Sequence, residues 1–356
     1  MRSEVLEPKL RLENAAESIR LLYSSEGFNG RPVTVSGQAF LPRGTAPKGG
    51  WPVLAWSHGT VGIADVCAPS FRGNSARDIT YLNKWLAAGY AIVATDYEGL
   101  GTPGTHAYLH CRSEANGNVD AVRAAQQLGW PLSKNWLVFG QSQGGQGALC
   151  TGAIATKRAP ELNFLGTLAT APGLNFMDRF SVMNPADPNP FIVVTLLMAR
   201  GFETFEPDFK SSNVFTDAAM ALMPVANSEC IETMINRGVA AKLTVGESFK
   251  LFPLSAAPGV AAAARQMEIP RDGWDRPVFI GQGMADEMVS YPATVDFGVD
   301  LCARGVTTSI KRYPGARHSG PIEQGFDDFR TWVDARFAGL PATDNCAEIR
   351  TWQAGK

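Results

Sequence analysis

No continuous apolar stretch reaches the roughly 18 residues that a bilayer-crossing helix needs. The opening MRSEVLEPKL lacks the apolar core of a secretory leader, so no recognisable signal peptide is expected in this chain. An excess of positive charge is missing too: 32 Lys and Arg stand against 34 Asp and Glu, a net charge of −2. That balance removes the footprint of a dedicated nucleic-acid binder, and no nucleic-acid partner is expected. No repeat period or low-complexity tract appears, which excludes solenoids and propellers. No Cys-x-x-Cys pair and no Cys/His spacing suited to zinc occurs, so neither metal nor cofactor is implied.

What the chain does have is enough apolar material for a large core. Of 356 residues 45% are hydrophobic and only 19% charged, without long blocks of one sign, the composition of a compact folded protein. Six scattered cysteines, Cys67, Cys111, Cys150, Cys230, Cys302 and Cys346, allow up to three disulfides. Six cysteines can pair in 15 ways, so spacing alone assigns none, and buried free thiols are the alternative.

Short runs rich in Val, Ile and Leu alternate with longer helical patterns, as in a mostly parallel sheet covered by helices. Strands are expected at 32–40, 52–57, 90–95, 136–139, 165–170, 277–281 and 307–313, and helices at 78–88, 113–128, 145–158, 291–304 and 320–338. From 175 to about 268 the apolar spacing stays helical and no convincing strand occurs. Prolines 185, 188, 190, 224, 253 and 258 forbid one long helix there, so the segment reads as an inserted helical cap. A run of ordinary surface helices is the plainer alternative.

Gly140-Gln141-Ser142-Gln143-Gly144 fits G-x-S-x-G, the strained strand-to-helix turn that lifts a serine hydroxyl above a sheet. The pattern alone is weak in a glycine-rich chain. Its context strengthens it, because Trp136-Leu137-Val138-Phe139 reads as a strand before it and a helix opens after it. A serine hydroxyl needs a base in hydrogen-bond reach, and only four histidines exist. His58, His106 and His110 precede the serine. His318 follows the last strand, where the order Ser, Asp or Glu, His places its base. The orienting acid expected between them is Asp286, just past strand 277–281, with Glu287, Asp275 and Asp296 as weaker choices. A helix N-cap is the ordinary use of such an Asp, but Ser290 serves that end better.

An oxyanion also needs backbone donors. The Gln143 amide is one. The second could come from His58-Gly59-Thr60 or from Asp96-Tyr97-Glu98-Gly99, and spacing does not choose. Gly99-Leu100-Gly101-Thr102-Pro103-Gly104 matches G-x-G-x-x-G after a strand. No apolar helix opens at its end and Pro103 interrupts it, so a loop near the site is expected there, not a dinucleotide cradle.

These residues together resemble the secretory lipase family of α/β-hydrolases. The likeness runs from about 52 to 346. It rests on Gly89-Tyr90, Thr95-Asp96-Tyr97-Glu98-Gly99, the turn at 140–145, Ala159-Pro160-Glu161-Leu162-Asn163, Ala285-Asp286-Glu287-Met288-Val289 and Arg317-His318. The resemblance implies Ser142 as nucleophile, Asp286 as orienting acid, His318 as base, and Asp96 with Gln143 at the oxyanion hole. It implies a hydrolase core at 1–174 and 269–356, and a cap at 175–268 that shapes an acyl tunnel and could touch a lipid interface transiently. Export and disulfides are implied as well, with Cys302–Cys346 the family-like pair and Cys67–Cys111 a second expectation. Gln141 and Gln143 depart from the smaller or aromatic residues often found beside the serine, which touches acyl preference and not the triad. The expected activity is hydrolysis of carboxylic esters, acylglycerols or short to medium aliphatic esters. A serine peptidase or amidase is the alternative on this scaffold, and a non-catalytic binder is disfavoured because all three triad places are filled.

Overall fold

The structure, a computed structural model, describes residues 1–175 and 184–353. Residues 176–183 at the start of the expected cap, and 354–356 at the end of the expected core, lie outside the described residues. One sheet of nine strands organises the chain: β1 (Arg2–Val5), β2 (Ala15–Glu26), β3 (Pro32–Pro42), β4 (Trp51–Ser57), β5 (Ala91–Thr95), β6 (Leu132–Gln141), β7 (Asn163–Thr170), β8 (Val278–Gly283) and β9 (Thr308–Tyr313). Their spatial order is β1-β2-β3-β5-β4-β6-β7-β8-β9. The pairs β1–β2, β2–β3 and β3–β5 are antiparallel, and every later pair is parallel.

All seven expected strands are present. The two at the N-terminus were not expected, because neither carries a clean pattern: β1 is exposed throughout and β2 mixes Glu, Arg and Ser among its apolar residues. Long pairing with β3, from Ala15 opposite Pro42 to Glu26 opposite Pro32, makes β2 a strand.

Among the described residues the helices of eight residues or more are α1 (Ala76–Ala87), α2 (Cys111–Ala125), α3 (Gln143–Arg158), α4 (Ile192–Phe205), α5 (Ile231–Ala241), α6 (Val260–Met267), α7 (Tyr291–Ala303), α8 (Phe326–Phe337) and α9 (Cys346–Gln353). Side chains alternate across the central strands, as the period of two requires. Leu54, Trp56, Leu137 and Phe139 pack with Leu82 and Trp85 of α1 and Phe329 of α8, while Val53, Ala55, Trp136 and Val138 pack with Val119 and Val122 of α2 and Ala148 of α3. The sheet is therefore covered on both faces, the α/β-hydrolase arrangement. The helix expected over 320–338 is split at Gly325 into Gly320–Gln324 and α8.

Between β7 and β8 the described chain holds α4, α5, α6 and several single-turn helices, with no strand in the sheet. Ile192, Leu196, Leu197, Phe202, Phe215 and Met234 form their common core, and Ile63, Tyr108 and Leu109 join it from the sheet side. The disulfide Cys67–Cys230, the bond from the Ile231 amide to the Val61 carbonyl at 2.9 Å and the Arg72–Glu232 ion pair fasten these helices to the loop after β4.

The disulfides are Cys67–Cys230, Cys111–Cys150 and Cys302–Cys346. The expected Cys302–Cys346 pair is present. The expected Cys67–Cys111 pair is wrong: Cys111 opens α2, which packs along α3, and so meets Cys150, leaving Cys67 to the inserted helices. A non-reduced peptide map should show these three linkages, and a Cys67–Cys111 peptide would contradict this packing. Replacing both Cys302 and Cys346 by Ala frees α9 from α7 and should cost about 2–5 kcal/mol, read as a drop in urea midpoint.

Candidate active site

Ser142 sits between β6 and α3 with φ +60° and ψ −121°, a conformation a non-glycine residue holds only when its surroundings enforce it. They do so by close approach. A Cβ on Gly144 would lie 1.8 Å from the Ser57 carbonyl oxygen, and one on Gly140 would lie 2.1 Å from that of Gly144. Only glycine fits at either place. The Ser142 amide donates to Thr170 O at 3.0 Å, tying the turn to β7.

His318, in the turn after β9, places Nε2 2.9 Å from Ser142 Oγ. Its Nδ1 lies 2.9 Å and 3.1 Å from the two carboxylate oxygens of Asp286. The Asp286 carboxylate also accepts the amides of Met288 and Val289, both at 2.9 Å, and Gln282 Nε2 at 3.3 Å. Burial raises this carboxyl, yet the bonds from His318 and the two amides outweigh it and hold the group below its ordinary value. An ionised carboxylate on Nδ1 leaves Nε2 free to take the serine proton. Glu287, the neighbour, turns outward to Arg317, and Asp275 bonds Thr156.

A family model for secretory lipases matches residues 74–345. The chain belongs to the secretory lipase family. It is 23% identical to Lipase 10 of Candida albicans over 76% of this chain and 60% of that lipase, so the match spans less than two thirds of the relative. Among solved structures it is similar to Candida antarctica lipase A, with a TM-score of 0.81, 19% identity and coverage of 97% of this chain and 83% of that one. It is also similar to the rice cell-wall-degrading esterase LipA of Xanthomonas oryzae, at TM-score 0.74, 21% identity and coverage of 94% and 98%. A secretory family and three disulfides mark an extracellular protein. No helix among the described residues is long and apolar enough to cross a membrane, and none of their His, Cys, Asp and Glu side chains form a group that could hold a metal ion.

In this family member Asp96 does not stand beside Ser142. It follows β5, and β4 lies between β5 and β6. Its amide donates to Ser36 O at 2.8 Å, and its carboxylate accepts the hydroxyls of Ser36 and Ser70 and the Ser70 amide. The loop beside the elbow is the other candidate, His58-Gly59-Thr60. The His58 carbonyl would be 2.6 Å from a Cβ on Gly144, and a Cβ on Gly59 would be 3.2 Å from Gln141 O. Gly99-Leu100-Gly101-Thr102-Pro103-Gly104 is a loop with no helix at its end; the next helix starts at Cys111.

The three remaining histidines are buried, and burial lowers each pKa, to about 4 for His106 and His110. Glu114 on α2 was missed from the sequence. It reads as an ordinary first-turn acid, and the nearby Gly117, a glycine inside a helix, is the one hint of close packing. Fully buried, it accepts Gln143 Nε2 at 2.8 Å and the Leu109 amide at 3.1 Å, and burial lifts its carboxyl to about 8.

A raised folded-state value means that the stability associated with the neutral acid is fully present below the ordinary carboxyl range, near 4.5, and is lost as pH rises through about 8. The melting temperature of wild type should therefore fall between pH 5 and 8.5, and that of Glu114→Gln should fall less. Parallel curves would contradict this assignment. Gly144→Ala, driven into the Ser57 carbonyl, should fail to accumulate as folded protein, seen by near-UV circular dichroism.

Proposed function

We propose that this chain hydrolyses carboxylic esters through an acyl-enzyme, with Ser142 as nucleophile, His318 as base and Asp286 as its orienting acid. The observation that carries the reading is the unbroken hydrogen-bonded chain Ser142–His318–Asp286. As Ser142 Oγ attacks the ester carbonyl carbon, its proton passes to His318 Nε2 and the carbonyl oxygen takes the negative charge. The amide of Gln143, in the first turn of α3 where backbone donors lack intrahelical partners, faces that charge, and the second donor comes from the His58–Gly59–Thr60 loop. The imidazolium then returns its proton to the departing alkoxide, leaving Ser142 acylated. Water then attacks the acyl carbon and gives a proton to His318; the bond to Ser142 Oγ breaks, His318 returns the proton to that oxygen, and the acid leaves.

The substrate class we favour is acylglycerols or short to medium aliphatic esters. A cavity of roughly 170 Å³, walled in part by Leu174, Met198, Met267 and Phe297, lies between the helices after β7 and the sheet. It reaches Gly173, whose amide donates to the Ser142 carbonyl at 3.3 Å. Its wall is mixed, with Gln146, Glu268 and Arg271 beside the apolar residues; the apolar part offers room for an acyl chain, and the helices after β7 act as its cap.

Ser142→Ala should abolish turnover of p-nitrophenyl esters while leaving the melting temperature within a few degrees, and substantial residual turnover would mean another nucleophile. Asp286→Asn should lower kcat by about 10⁴, the scale known for the equivalent change in a serine protease. Anilides of the same acyl groups should react far more slowly than the esters, because an amine is the poorer leaving group. Equal rates would instead favour the amidase reading.

A further inference from the structure

A polar network lies under the elbow that the triad does not use. Gln143, Glu114 and His106 are each at most 2% exposed, and the Gln143 side chain ends in this network. Its carboxamide nitrogen donates to Glu114 Oε1 at 2.8 Å and to His106 Nε2 at 3.0 Å. His106 Nδ1–H donates to the Glu98 carbonyl at 2.8 Å, which leaves Nε2 as the acceptor the carboxamide needs, and the ring stacks on Tyr97. Both amide hydrogens of Gln143 are thus held from opposite sides. Glu114 in turn accepts the Leu109 amide. Two residues from His106, the Tyr108 hydroxyl bonds Thr60 Oγ1 at 2.7 Å, and the Tyr97 hydroxyl donates to the His58 carbonyl at 2.8 Å.

The short segment 106–109 therefore touches both places from which the oxyanion donors come. We propose that Glu114, His106 and Tyr108 are positioning residues, a buried brace that sets the Gln143 amide and the 58–60 loop at the separation an oxyanion requires. The inference rests on the ester-hydrolase reading above. The chemistry is suited to the task. Backbone donors act on a transition state in proportion to how little they must move, and a displacement of about 1 Å at a reacting centre costs on the order of 10²-fold in rate. Burial disfavours the charged form of Glu114, so this acceptor holds Gln143 with less negative charge behind the developing oxyanion. Only one Glu114 oxygen has partners, the other being buried without any, so a carboxamide can replace the acid with its own oxygen in the accepting position.

The test compares wild type with Glu114→Leu, Glu114→Gln and Tyr108→Phe on a p-nitrophenyl ester. Rates are expressed per active site titrated with a fluorophosphonate, alongside binding of an alkylboronic acid that forms a tetrahedral adduct on Ser142. Glu114→Leu should lower kcat about 10- to 100-fold with KM within about threefold, and weaken the boronate by a similar factor. Tyr108→Phe should do the same to a smaller degree, about 3- to 10-fold, and Glu114→Gln should recover most of the loss. Unchanged kcat and boronate affinity per titrated site in Glu114→Leu and Tyr108→Phe would overturn the brace, as would a Glu114→Gln variant as impaired as Glu114→Leu. If Glu114→Leu does not fold, the other two decide: Tyr108→Phe must lose boronate affinity with kcat, and Glu114→Gln must retain both. Wild-type protein that turns over no ester and takes no phosphonate on Ser142 would strike the hydrolase reading itself, a result distinct from any variant's behaviour.

Discussion

The site depends on one backbone constraint, the approach of two chain segments too close for a side chain to stand between them. Gly144 lies against the Ser57 carbonyl at the end of β4, and Gly140 lies against Gly144. This contact locks β6, α3 and the loop after β4 into one body and holds Ser142 at positive φ. The strained turn aims the hydroxyl out of the sheet and brings the first backbone amides of α3 beside the same loop. Ser142 and the backbone donors proposed for the oxyanion thus share one geometric cause. His318 and Asp286 arrive separately, from the ends of β9 and β8, and meet Ser142 because parallel strands deliver their C-terminal turns to one edge of the sheet.

Two carboxyls, Glu114 the more deeply buried, show how burial and hydrogen-bond donors together set the charge state. Asp286 is ringed by His318, two backbone amides and Gln282, and donors of that number keep it ionised. Glu114 has only the Leu109 amide and the Gln143 carboxamide, and burial prevails. Both outcomes suit their places. In the proposed reaction a negative charge behind the imidazole helps the ring bear a proton, while beneath the oxyanion it would oppose the charge that forms there.

Much of this was legible in the sequence because it is local. The elbow, the turn carrying Asp286 and the turn carrying His318 each announce themselves within a few residues, and the seven parallel-sheet or adjoining strands are written as apolar runs. What was not legible depends on which elements become neighbours. β2 is a strand through its pairing with β3, and not through a pattern of its own. The placement of Asp96 at the oxyanion hole fails on strand order: the chain makes β4 before β5, but β4 takes the place next to β6. Glu114 is an unremarkable helix-start acid until the contact between α2 and α3 buries it. The Cys67–Cys111 expectation fails for the same reason, since pairing follows the packing of α2 on α3.

Strand order also explains what Asp96 and its neighbours do instead. The turn after β5 lies one strand out from Ser142, where it can support the loop after β4. Asp96 binds Ser36 and Ser70, fixing the turn to β3 and to the short helix Pro69–Arg72. From that anchored turn Tyr97 reaches up to the His58 carbonyl. The loop after β4 is then held from three directions: from below by Tyr97, from the elbow side by the glycine contact, and from above by Cys67–Cys230 and the Val61–Ile231 bond to the helices after β7. A loop fixed on all three sides can keep a backbone donor in place without a side chain of its own at the reacting centre. The residues around Asp96 that carry part of the family likeness are therefore explained by support of that loop.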